Sequence, residues 1–164
     1  MGFASKNVVL EFGEVMIRPM RHEDLAQIIR IEEMNFPMPW SVKAFEYELE
    51  QNKNSVAFVA ESNSRVIAYS VAHIIIDEMH LLNLSVDRNF RRRRIGELIL
   101  TINIDHARQY DCSIITLEVR KSNLAAIMLY QKHGFRQTGL RRGYYEPYGE
   151  DALLLSLGLA NAAC

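Results

Sequence analysis

The chain has 164 residues, 49% of them hydrophobic and 24% charged, with a formal net charge of −1 at pH 7. A length of this order fits one domain that buries roughly 70% of the unfolded chain's surface, and the composition excludes disordered, low-complexity and collagen-like classes. The balanced charge gives no basic surplus for general nucleic-acid binding. No uncharged run, that of residues 66–76 included, reaches the about 20 apolar residues that cross a bilayer. Cys112 and Cys164 show neither a metal-ligand nor a disulfide-scaffold spacing. Reduced thiols, a cytoplasmic location and no membrane association are therefore expected.

Residues 1–13 show no clear period and are expected to form a loose extension of a single domain spanning 1–164. Residues 14–20 alternate, with Val15 and Ile17 on one face, and read as a strand, whereas 24–34 place Leu25, Ile28 and Ile29 at helical spacing. Phe36-Pro37-Met38-Pro39-Trp40 follows, kept extended by its prolines. Ser41 is suited to cap a helix over 42–51. Two apolar, β-branched runs, 55–61 and 65–76, are joined by Ser62-Asn63-Ser64, a hairpin signal, and 79–86 is a further strand. Residues 87–94 form a polar, arginine-rich loop. A helix over 96–110 carries Leu98, Ile99 and Ile102 on one face. Then come a strand over 113–119, a helix over 123–133, and strands over 135–140 and 152–157.

The order β-α-α-β-β-β-α-β-α-β-β places the chain in the α+β class. Antiparallel hairpins lead into one β-loop-α-β unit, so the strands 79–86 and 113–119 must run parallel. Ligands of open α/β sheets sit beyond the carboxyl ends of such strands, here past Val86 and Val119. One flank would carry Arg91 to Arg94 and the helix start at Gly96, whose free N–H groups and partial positive charge suit a phosphate. The other flank would carry Glu118 and Arg120. Each feature also has a plainer reading: the arginines as a solvated or RNA-touching loop, Gly96 as a residue that eases the loop into a helix, Glu118 as a partner of Arg120 or another surface cation, Tyr130 as a core residue. The histidines His22, His73, His80, His106 and His133 form no metal-ligand spacing.

The run Asn83-Leu84-Ser85-Val86-Asp87, followed by Arg91-Arg92-Arg93-Arg94-Ile95-Gly96, resembles motif A of the GNAT acetyltransferases, Arg/Gln-x-x-Gly-x-Gly/Ala. Leu117-Glu118-Val119-Arg120, Ser122-Asn123, Ala125-Ala126, Leu129-Tyr130 and Gly134-Phe135 resemble the motif that follows it. With Tyr144-Tyr145 and Gly149-Glu150-Asp151-Ala152, they are similar to the RimI-type N-terminal protein acetyltransferases, which acetylate the α-amino group of ribosomal or other proteins. The resemblance runs from about Val15 to Leu157. It implies the GNAT fold, a mixed, mostly antiparallel central sheet with a splayed parallel pair of strands, flanked by the helices read above.

It also implies acetyl-CoA as cosubstrate, no metal, and a protein or peptide N-terminus as acceptor, with room for an auxiliary subunit. Leu84, Ser85 and Val86 would lend strand main chain to the pantetheine arm. Arg91, Arg92, Arg93, Arg94, Ile95, Gly96 and Glu97 would form the cofactor loop, with backbone N–H groups from Arg92 to Glu97 around the pyrophosphate. Asn123 and Tyr130 would also touch CoA. Glu118 would be the general base and Tyr130 the general acid. Phe36, Met38, Trp40, Tyr144 and Tyr145 would bind the acceptor.

Elementary chemistry agrees. An α-amino group has a pKa of about 7.7–8.0, so roughly a tenth is neutral at pH 7, some hundredfold more than for a lysine near 10.4. A carboxylate acting through water is then a sufficient base. The sequence departs from the family pattern in two places. Arg94 stands where the first glycine of motif A belongs, so its side chain must point outward for the backbone to approach a phosphate. The loop 36–40 offers no carboxylate, so Glu118 has to supply the base. Two other readings compete: a GNAT enzyme acting on lysine or a small amine, and an RNA- or ribosome-binding module using Arg91 to Arg94 with Arg136, Arg141 and Arg142.

Overall fold

Lys6–Leu10, inside the stretch expected to be a loose extension, is a strand, β1, paired antiparallel with β2 (Gly13–Pro19) from Lys6↔Ile17 to Leu10↔Gly13. This corrects the sequence reading. Val8 and Leu10 are only half-buried between exposed Asn7 and Val9, so the alternation is faint in composition although it pairs in space. The protein is seen here as a computed structural model that describes residues 2–147 and 149–160; Cys164 lies outside the described residues.

The remaining elements are α1 (Leu25–Asn35), α2 (Val42–Glu50), β3 (Ser55–Ser62), β4 (Arg65–Ile75), β5 (Glu78–Val86), α3 (Ile95–Gln109), β6 (Ile114–Arg120), α4 (Leu124–Lys132), β7 (Arg136–Tyr145) and β8 (Glu150–Gly158). The eight strands are ordered β1-β2-β3-β4-β5-β6-β8-β7. β5 and β6 are parallel, and the ladders β1–β2, β2–β3, β3–β4, β6–β8 and β7–β8 are antiparallel. The expected mixed, mostly antiparallel sheet with one parallel pair and four helices is thus observed. The parallel ladder covers Glu78–Leu81 against Ile114–Leu117, so the last residues of β5 and β6 lie beyond it. Ser41 caps α2 as expected, its hydroxyl accepting from the Ala44 N–H at 3.2 Å.

The chain divides into two compact units, 1–73 with 83–103, and 74–82 with 104–164; β5 and α3 each run from one into the other. The core of the first joins Val15, Ile17, Phe58, Ala60, Ile67 and Ala68 to Ile95, Ile99 and Ile102. This packing fixes the start of α3 against the sheet. In this unit the buried Arg18 guanidinium forks onto Asp24 at 2.7 and 2.8 Å and reaches Glu61 at 2.6 Å, tying β2 and β3 to the entry of α1. In the second unit Ile115, Leu117, Val119, Ile127, Tyr130, Phe135 and Leu155 are buried. Cys112 is buried there as a free thiol, pushed up by burial and then by Asp77 and Asp111. Among the described residues no helix is long and apolar enough to cross a membrane, and no group of three or more His, Cys, Asp or Glu is placed to hold a metal.

Candidate active site

In the first unit, β5 ends at Val86 and a short 3-10 turn at Arg88–Phe90, capped by the Asp87 carboxylate, leads to α3. Along β5 the buried residues Asn83 and Ser85 alternate with half-buried Leu84 and Val86. Arg91, Arg92, Arg93 and Arg94 are all exposed. Arg92 and Arg94 have φ of 60° and 65°, in the left-handed region. Such alternating backbone turns successive N–H groups into one concavity that suits an anion, and the first turn of α3 adds N–H groups that have no intrahelical partner. The Arg94 side chain is 75% exposed, with Nε 3.6 Å from Glu97. Arginine thus adopts the conformation glycine would take, and its side chain is directed out, as expected. The Arg93 guanidinium lies over the rings of Phe12 and Phe90 at 5.3 and 5.4 Å. Asn35, at the end of α1, donates from Nδ2 to Ser85 Oγ at 2.7 Å and to the Val86 carbonyl at 2.9 Å, and accepts from Arg91 at 2.8 Å.

The loop 36–40 leaves α1 with Phe36 and Trp40 half-buried and Met38 59% exposed. Its anchor is a residue that sequence reading passed over. Glu32 is 1% exposed, and its carboxylate accepts from the Trp40 backbone N–H at 3.0 Å, from Asn83 at 3.1 and 3.2 Å, and from the Tyr69 hydroxyl. Tyr69 meets Phe45 edge-on at 5.7 Å, and Phe45 packs on Trp40 at 5.3 Å. So a carboxylate does lie under this loop, but it is buried and fully engaged. Burial raises the Glu32 pKa, offset in part by the Trp40 and Asn83 hydrogen bonds. The folded chain therefore holds this proton more tightly than the unfolded chain. The associated stability is full below the ordinary glutamate range and is lost as pH rises through the raised value. Glu32→Gln offers one acceptor to three donors. It should cost about 1–3 kcal/mol, a fall in Tm of roughly 2–10 °C by calorimetry, and flatten that part of the pH dependence. An unchanged Tm would show that the network does not hold the loop.

In the second unit, Ile114, Thr116, Glu118 and Arg120 share the half-buried face of β6. The Glu118 carboxylate meets His80 Nε2 at 2.7 Å through Oε2 and faces Arg141 at 3.7 Å through Oε1. It does not pair with Arg120, which instead reaches Glu150 at 3.2 Å and lies over the Tyr145 ring at 4.1 Å. The plainer reading of Glu118 as an ion-pair partner therefore holds for Arg141 and not for Arg120, which is already held by Glu150. The Ser122 N–H also donates to Glu150 at 2.9 Å, and these bonds, Ser122 first, hold the Glu150 carboxyl below its usual range.

Tyr130 is 7% exposed and packs on Phe135 at 5.6 Å. Burial first, then Tyr145, pushes its hydroxyl above the ordinary phenol range, so it stays protonated. Burial also pushes Tyr145 up to about 12, against Arg120. Tyr144 and Tyr145 meet edge-on at 5.1 Å at the end of β7. This strand runs to Tyr145, beyond the expected end at Leu140. Asn123 spends its side-chain oxygen on capping α4, accepting from the Ala126 N–H at 3.2 Å, which leaves its amide N–H groups for any other contact.

The structure thus joins Ser85, Val86 and Arg91 through Asn35 in one unit. In the other it gathers Glu118, Arg120, Tyr144 and Tyr145 around His80, Arg141 and Glu150. Asn35, Glu32 and His80 were not singled out from sequence. Glu32 carried a readable signal, an acid on the apolar face that also bears Leu25 and Ile28; His80 carried none, because its meeting with Glu118 depends on strand register.

Residues 25–135 match the acetyltransferase (GNAT) family. Ribosomal protein bS18-alanine N-acetyltransferase of Escherichia coli (strain K12) is 32% identical over 146 residues, 88% of this chain and 97% of its own. An N-alpha-acetyltransferase of Sulfurisphaera tokodaii is 31% identical over 159 residues, 89% of this chain and 94% of its own. The crystal structure of the ribosomal-protein-S18-alanine N-acetyltransferase from Escherichia coli superposes with a TM-score of 0.84 at 31% identity, covering 91% of this chain and 96% of that one.

Proposed function

We infer that this chain, which belongs to the acetyltransferase (GNAT) family, transfers an acetyl group from acetyl-CoA to the α-amino group of a protein N-terminus. The observation that carries the reading is the 32% identity, over 88% of the chain, with an enzyme named for acetylating an N-terminal alanine of ribosomal protein bS18. A ribosomal protein is accordingly the proposed partner, and the cytoplasm the proposed location. The reading takes 1–164 as one acting domain. If purified protein with acetyl-CoA and an alanine-led peptide releases free CoA thiol above the peptide-free rate, the activity stands; release independent of peptide contradicts it.

In this reading the main chain of Leu84 to Val86 holds the pantetheine arm, and the backbone from Arg92 to Glu97, with its left-handed residues, cradles the pyrophosphate. The concavity and the outward Arg94 side chain fit that group. The neutral amine attacks the thioester carbonyl, a C–N bond forms and the C–S bond breaks. Glu118 draws the proton from the nitrogen, and the Tyr130 hydroxyl gives one to the departing sulfur. Phe36, Met38, Trp40, Tyr144 and Tyr145 receive the acceptor. Because backbone carries the phosphate, Arg92→Ala or Arg93→Ala should raise the acetyl-CoA KM by no more than about fivefold, the worth of one exposed ionic contact near 1 kcal/mol. Steady-state kinetics showing a hundredfold rise with the fold intact would mean that side-chain charge dominates.

A further inference from the structure

We propose that His80, rather than Glu118 itself, is the terminal proton acceptor of the reaction, with Glu118 orienting the ring and steadying its charge; this rests on the proposed acetyl transfer to an amine and refines the part Glu118 plays in it. His80 Nε2 stands 2.7 Å from Glu118 Oε2. An ionised carboxylate can only accept there, so Nε2 carries the hydrogen and Nδ1 keeps a lone pair. Among the described residues nothing hydrogen-bonds to Nδ1. The other carboxylate oxygen, Oε1, faces the Arg141 guanidinium at 3.7 Å. Both oxygens of Glu118 are thus already turned toward a donor or a cation. The His80 side chain is 40% exposed against 14% for Glu118, so the ring is the member of the pair open to an incoming amine or water.

Strand geometry makes this contact specific. β5 and β6 pair in parallel with His80↔Thr116, and the two-residue alternation of β6 puts Glu118 one step further along the face that Thr116 shares. A carboxylate behind an imidazole is an effective base arrangement, because it fixes the tautomer and stabilises the imidazolium that forms. The step balances. The amine nitrogen bonds to the acetyl carbon, its proton moves to Nδ1 directly or through one water, and the C–S electron pair leaves with sulfur, which is protonated by Tyr130. His80 then returns its proton to solvent.

The test is steady-state kinetics with an alanine-led peptide and acetyl-CoA on His80→Ala, His80→Gln, Glu118→Gln and the His80→Ala/Glu118→Gln double variant, with Tm checked for each. His80→Ala should lower kcat by about 10²-fold with the acetyl-CoA KM within about twofold. His80→Gln keeps an N–H donor for Oε2 but cannot take a proton, so it should be as slow as His80→Ala. Added imidazole should restore part of the rate to His80→Ala, and the double variant should be no slower than the slower single one. His80→Gln at the parent rate would overturn the proposal, since a donor alone would then suffice. His80→Ala within threefold of the parent beside a slow Glu118→Gln would also overturn it, while leaving Glu118 as the base. Glu118→Gln at the parent rate would remove the Glu118 assignment and this proposal together.

Discussion

Replacing Glu118 by Gln is expected to lower kcat by about 10²–10⁴-fold, the usual worth of general acid–base catalysis, with the acetyl-CoA KM little changed. Glutamine keeps the length and planarity of the side chain between His80 at 2.7 Å and Arg141 at 3.7 Å, so shape is conserved while the negative charge behind the proton transfer is lost. Raising the pH should restore part of the rate, because an α-amino group with a pKa of about 7.7–8.0 then deprotonates unaided. A variant running at the parent rate between about pH 6 and 9 would return Glu118 to the role of a surface ion-pair residue.

Tyr130→Phe should fail differently. It removes one hydroxyl from a side chain that is 7% exposed and packed on Phe135. The stability change should therefore stay within about 1.5 kcal/mol. Burial already keeps the hydroxyl protonated well beyond neutral pH. A catalytic donor predicts a fall in kcat of about 10²-fold or more with the acetyl-CoA KM little altered. Alkaline pH should not rescue it, because the departing sulfur still lacks its donor. Normal turnover with only a small fall in Tm would leave Tyr130 as a core residue.

Sequence patterning was enough to read the elements whose periodicity is set by burial. The alternation of β2, β5 and β6 and the apolar stripes of α1 and α3 are legible because each buries one side, whereas β3 and β4 read as continuous apolar runs because residues on both of their faces are buried. β1 and the second half of β7 were missed for the opposite reason. Val8 and Leu10 are only half-buried, and Arg141-Arg142-Gly143-Tyr144-Tyr145 has no apolar face, so neither segment carries a strong period. Motif spacing located Glu118 and the loop at Arg91 to Arg94. It could not give the left-handed φ of Arg92 and Arg94, a conformation arginine seldom adopts. Register was equally unreadable. A one-residue slip between β5 and β6 would put His80 on the other face, so the His80–Glu118 contact exists only once His80 pairs with Thr116. Glu32 sits on the apolar face of α1, a signal outweighed by its type: an acid on a helix is ordinarily solvated, and Tyr69, Asn83 and the Trp40 N–H, brought together by the fold, make its burial tolerable.

Where the acetyl group goes tests transfer to a protein N-terminus most directly. One alanine-led peptide with a lysine further along, prepared with its α-amino group free and with it chemically blocked, is incubated with the protein and acetyl-CoA and sequenced by tandem mass spectrometry. The prediction is a single acetyl group on the first residue of the free peptide and none on the blocked one, because the lysine amine is neutral some hundredfold less often. Acetylation of the internal lysine at a comparable rate in the blocked peptide would contradict transfer to the protein N-terminus.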